Sequence, residues 1–152
     1  MADFVINEWL WADLAGSNQQ KAQADSLAFI EQFTKSNHRL VLLEGSPFDQ
    51  KAWSLCESQN PLHKHLSKLF VLGVRQDPQR VFILNAQNLP ALPGDLANRV
   101  KPDDHYLVQA QLAVPGAALV TTDEPLTVLL QEAGLPFMSR EQFLLTYFGI
   151  HN

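Results

Sequence analysis

A single cysteine, Cys56, is all the sequence holds. That excludes an internal disulfide framework and any all-cysteine metal site, and it suits a reducing, cytoplasmic compartment. The chain also has no GxGxxG, no P-loop and no nucleophile elbow, so dinucleotide, nucleoside-triphosphate and acyl-transfer chemistry lack their usual sequence support. Basic residues are outnumbered, 11 Lys and Arg against 16 Asp and Glu, for a net charge of -5 at pH 7. Such a balance argues against coating nucleic acid or membrane by bulk charge, although an enzyme can still meet polyanions through bound cations. Long hydrophobic runs are missing too. The opening MADFVINEWLW is broken at Asn7 and Glu8, so it reads as neither a signal peptide nor a membrane span.

What is present is 152 residues, 46% of them hydrophobic, enough apolar material for one α/β domain covering 1–152. Phe4 to Ile6 read as a short strand, followed by a helical turn from Trp9 to Leu14. A crossover helix is expected from about Gln19 to Ser36, with Ser17 or Asn18 placed to cap it and Leu27, Phe29, Ile30 and Phe33 as its apolar stripe. Leu40 to Leu43 form a second strand, and Ser46-Pro47 opens a helix through about Glu57. Pro61 restarts a helix that Gly73 is expected to end. Arg80 to Leu84 make a third strand, and AQNLPALPGDL is too rich in Pro for regular structure until a turn near Asp95 to Val100. A helix beginning near Asp103, a strand at Ala117 to Val120, a helix from Pro125 to Ala133, a short strand at Leu135 to Met138 and a last helix capped by Ser139 complete the chain. Strand and helix alternate throughout, which implies a parallel sheet covered on both faces.

In such a sheet a crossover helix starts over the edge where the strands end, the edge at which open α/β sheets bind ligands. Asn7 and Glu8 follow the first strand, Glu44 the second and Asp123 the fourth, while Asp103 and Asp104 open a helix. Carboxylates gathered there repel one another and call for a cation; Mg²⁺ prefers one or two carboxylates plus waters and substrate phosphates, the equipment of metal-assisted phosphodiester hydrolysis. The plainer reading is local: Asp103 and Asp104 satisfy a helix start, Asp123 caps its own helix, and Glu44 and Asp49 are surface or cap residues.

DDHYLVQA followed by ALVTTDEPL resembles the PIN-domain ribonucleases, the family that includes toxins of bacterial toxin-antitoxin pairs. The likeness lies in a helix-opening aspartate with a small residue seven positions on, then an apolar strand ending in Thr-x-Asp; AGLPFMSREQFLLTYF is similar to the family's last strand and final helix. The resemblance implies a three-layer α/β/α fold with a parallel five-stranded sheet of order 3-2-1-4-5. It also implies acidic residues around Mg²⁺ or Mn²⁺ and cleavage of RNA. Asp103 then matches the third family acid and Asp123 the fourth. Asn7 stands where the family ends its first strand with aspartate, with Glu8 beside it, and Glu44 or Asp49 is left for the second acid.

Two functions follow from this pattern. One is a metal-dependent ribonuclease in which Asp103, Asp123 and Glu8 hold the ion, with Asp104 and Glu44 as further ligand candidates and Asn7 orienting a water or ligand. The other is a PIN-like module with weakened catalysis that binds RNA, an antitoxin or another protein partner, with a homodimer compatible with either. His63 and His65, two apart on a helix, point to different sides. Lys64, Lys68, Arg75 and Arg80 form the only basic concentration, and Trp9, Trp11 and Trp53 read as core or interface.

Overall fold

Alternating Phe4-Val5-Ile6 sends side chains to opposite faces of a strand, and both faces are buried. This places the first strand at the centre of the protein. In the computed structural model, which describes residues 1–151, five strands form one all-parallel sheet of order 3-2-1-4-5. They are β1 (Asp3–Ile6), β2 (Arg39–Leu43), β3 (Val81–Leu84), β4 (Ala118–Val120) and β5 (Phe137–Met138). Among the described residues eight α-helices accompany them, seven between strands and the last after β5: α1 (Trp9–Leu14), α2 (Gln19–Lys35), α3 (Pro47–Cys56), α4 (Pro61–Phe70), α5 (Gly94–Arg99), α6 (His105–Ala113), α7 (Glu124–Glu132) and α8 (Arg140–Phe148).

The sheet separates two apolar layers. Phe4, Ile6, Leu40 and Leu42 face one core with α1 to α4 and α8, where Phe4 meets Phe143 at 4.8 Å between ring centroids. Val5, Val41, Leu84 and Leu119 face the other with α5 to α7. The result is the three-layer α/β/α arrangement that the alternation implied. Among the described residues no helix is long and apolar enough to cross a membrane.

Several local expectations are met by specific bonds. Ser46 caps α3 by accepting from the backbone N–H of Asp49 at 3.3 Å, and Ser139 with Gln142 forms a reciprocal cap on α8. Three others are corrected. Neither Ser17 nor Asn18 caps α2, because the Asn18 side chain donates instead to Asp13 Oδ1 at 2.8 Å. Gly73 does not end the fourth helix; it lies inside a π-helical turn, Val71–Arg75, that extends it. A Cβ at position 73 would stand 2.5 Å from Thr34 Cγ2 of α2, so the glycine permits a close approach rather than a stop. The Pro-rich stretch after β3 holds a single 3₁₀ turn, Ala86–Asn88, closed by reciprocal Asn85 and Asn88 bonds.

Candidate acidic site at the carboxyl edge of the sheet

β1 and β4 lie side by side, and their ends are tied by side chains. Asn7 Nδ2 donates to Thr121 Oγ1 at 3.0 Å, its Oδ1 accepts from the Glu8 backbone at 2.7 Å, and the Asn7 backbone N–H reaches Val120 O at 3.0 Å. Thr121 is 1% exposed and its Oγ1 also accepts from the Asp123 backbone N–H at 3.1 Å. One hydroxyl therefore connects the residue after β1 to the aspartate after β4. Spacing alone did not single out Thr121; the Thr of the Thr-x-Asp motif was its signal.

Asp123 serves as N-cap of α7, with Oδ1 accepting from the Leu126 backbone at 3.2 Å. Asp103 and Asp104 sit in a 3₁₀ turn, Pro102–Asp104, that leads directly into α6. Their fates differ. Asp103 is exposed, whereas Asp104 is half-buried and lines a small cavity of about 60 Å³ together with Asp123, Arg99 and Lys101. The Asp104 carboxyl is held above its ordinary range, first by burial and then by the charge of Asp123, with Lys101 opposing and Asp103 adding to the rise. The structure thus brings Asp104 and Asp123 together, and Asp104 rather than Asp103 is the helix-opening acid that faces the edge. Adjacent residues of a 3₁₀ turn point about 120° apart, so one of the two aspartates faces the cavity while its neighbour faces solvent.

The other candidates stand apart. Glu8 is exposed and borders a separate cavity with Trp11, Ser17 and Lys51. Its charge nevertheless reaches Tyr106 on the first turn of α6, whose phenol is pushed well above its usual range by burial and then by Glu8, with the Phe48 backbone opposing and Asp104 adding to the rise. The Tyr106 hydroxyl is buried without a hydrogen bond of good geometry, a feature that sequence pattern did not signal. Glu44 is exposed at the end of β2.

Asp49 is fully engaged elsewhere: Oδ1 takes Arg75 Nε at 2.7 Å, and Oδ2 takes the Gly45 backbone at 2.9 Å. Arg75 lies 5.7 Å from the Trp53 ring centroid, and Arg80 donates to His38 O at 3.1 Å. Two members of the basic concentration are thereby engaged in structure, leaving Lys64 and Lys68 exposed on α4.

Among the described residues no group of three or more His, Cys, Asp or Glu is close enough to hold a metal ion. Two carboxylates, Asp104 and Asp123, are what the edge offers, which fits a water-rich Mg²⁺ or Mn²⁺ and not a protein-caged ion. Comparison with protein-family models, with curated proteins and with solved structures finds no match.

Proposed function

We propose that this chain is a PIN-like, metal-dependent ribonuclease acting in the cytoplasm, with Asp104 and Asp123 as the residues that hold a Mg²⁺ or Mn²⁺ ion. The observation that carries the reading is the pair itself: two carboxylates from different elements that line one cavity at the carboxyl edge, with the acidity of Asp104 suppressed by burial and then by the charge of Asp123. A divalent ion relieves that repulsion, and when bound it lowers the pKa of a coordinated water and offsets phosphate charge. Lys101 and Arg99, which line the same cavity, supply cations for the phosphate that flanks the scissile bond. Arg99 is also paired with Glu132 at 2.7 Å, so Lys101 is the freer of the two. Asn7 and Thr121 hold the ends of β1 and β4 in register beneath the acids.

The test is RNA cleavage measured against Mn²⁺ and Mg²⁺ concentration. Activity is expected to climb into the millimolar range, as suits an ion held by few carboxylates, and to collapse in Asp104→Asn and Asp123→Asn. Cleavage equal to wild type in both variants removes the reading. A second reading is favoured by the cap bond of Asp123 and the engaged amide of Asn7. In it the edge is a PIN-like binding surface for RNA or for a protein partner such as an antitoxin, and RNA is bound without being cut at any metal concentration.

A further inference from the structure

Beside the acid pair, toward the other face of the sheet, lies a much larger cavity of about 520 Å³, walled by α1, α2 and the start of α8. Its walls continue the same loops: Trp9 follows Glu8 in the chain, and Thr122 precedes Asp123. Three of the charged residues that line it are buried: Asp13, Asp25 and Arg140, with 1%, 6% and 8% of their surface exposed. Burying charge is tolerated where hydrogen bonds replace water. Asp13 meets that condition, with Oδ1 on Asn18 Nδ2 at 2.8 Å and Oδ2 on Arg140 Nε. Asp25 does not. Its Oδ1 takes Lys21 Nζ at 2.6 Å, but its Oδ2 is buried with no hydrogen bond, and Arg140 Nη2 stands 3.9 Å away. At the mouth, Gln19 is held at φ 79°, a left-handed backbone that a non-glycine residue adopts only under constraint.

Charge selects the class of ligand. Lys21 already binds Asp25 and the main-chain oxygen of His151, at 2.8 Å, while Arg140 faces Asp13, Asp25 and Glu141 and stacks 5.6 Å from the Trp9 ring centroid. With three carboxylates against two cations on its walls, the cavity repels a phosphate. A neutral group rich in N–H donors meets acceptors instead: the Asp25 Oδ2 that lacks a hydrogen bond, the exposed Glu141 carboxylate, the Gln19 amide and the Thr122 hydroxyl. We propose that this cavity receives a nucleobase through its N–H donor edge, from the nucleotide adjoining the phosphate at Asp104 and Asp123. The assignment rests on the ribonuclease reading, and it gives that site a preference for bases with an amino group, cytosine, guanine or adenine, over uracil, because amino groups donate to carboxylates.

The full-length chain, ¹⁵N-labelled, is titrated with cytidine, guanosine, uridine and inorganic phosphate while backbone amide resonances are followed. Cytidine or guanosine is expected to move Gln19, Ala22 and Thr122, uridine less, and phosphate not at all. Ala22→Phe fills the cavity without touching a charge, and Glu141→Gln removes an exposed acceptor; each is expected to weaken nucleoside binding by roughly tenfold or more. Asp25→Asn tests the buried acceptor directly, and if it fails to fold the other two variants still decide. Nucleosides that leave those resonances unmoved, phosphate that moves them at equal concentration, or an Ala22→Phe variant that binds like wild type overturns the assignment. Nucleoside binding by a protein that cuts no RNA keeps the cavity and removes the ribonuclease reading. RNA cleavage without nucleoside binding removes the cavity alone.

Discussion

Asp104 is where function and stability oppose each other. Its carboxylate is half-buried and faces Asp123, so at neutral pH the folded state carries a repulsion that the unfolded chain does not. A carboxyl held above its unfolded value destabilises at high pH, and that cost disappears as pH falls through the folded pKa toward the unfolded one. Asp104→Asn is therefore expected to raise the melting temperature at pH 7 by roughly 1–2 °C while abolishing RNA cleavage, and to lose that advantage near pH 4. Calorimetric melts at the two pH values check the sign; a variant that melts lower at pH 7 contradicts it. Asn7→Asp separates the two functional readings. An added carboxylate at the end of β1 is expected to tighten Mn²⁺ binding and raise cleavage if the acid pair is an incomplete metal site, whereas a binding surface gains neither. Titration calorimetry with Mn²⁺ reads the difference directly. The same substitution exchanges the amide donor that holds Thr121 for an acceptor, so about 1 kcal/mol of stability is expected to be lost alongside.

At the scale of elements, the contact between the π-helical turn and α2 is the least forgiving. Gly73→Ala gains about 1 kcal/mol of helical preference. Against this, its new methyl would stand 2.5 Å from Thr34 Cγ2, an overpacking that costs about 1–3 kcal/mol. Thr34 cannot turn aside without breaking its bond to Glu31 O at 2.7 Å. The net expectation is destabilisation in chemical denaturation, reversed when Thr34→Ser removes the clashing methyl; a stabilised single variant contradicts the close approach. The Asp49–Arg75 pair joins α3 to that same turn, with only 3% and 13% of the two side chains exposed. Asp49→Asn leaves a buried guanidinium without its counter-charge and is expected to cost about 3–5 kcal/mol, without changing the metal response of the folded protein. The resemblance left Asp49 as a candidate for the second family acid because it lies just past the second strand. It cannot see that a cation 26 residues later has already taken the carboxylate.

The whole molecule is held by two cores on one sheet, and its pH response is expected to come from the edge of the first. His38 packs among Phe4, Tyr147 and Phe148, and its Nδ1 accepts from the Ala2 backbone N–H at 3.1 Å. Burial, then the positive N-terminus and Arg80, hold its pKa below the usual histidine value of 6.5. A histidine so depressed contributes stability that is present above pH 6.5 and is lost as pH falls from there through the folded pKa, because the unfolded chain takes up the proton first. Wild type is expected to lose melting temperature below pH 6.5 more steeply than His38→Phe, and parallel curves would remove His38 from the account. The sequence by itself determined the layer order. Alternating Phe4-Val5-Ile6 and Leu40-Val41-Leu42 demand cores on both faces, and short apolar strands separated by helices permit a parallel sheet. It also placed acids at the strand ends, since both positions follow from periodicity and turn residues alone. What only the tertiary structure decided is which acids meet. Asp104 lines a cavity with Asp123, Arg75 claims Asp49, and Glu8 opens toward a different cavity, because facing and pairing depend on neighbours supplied from distant parts of the chain.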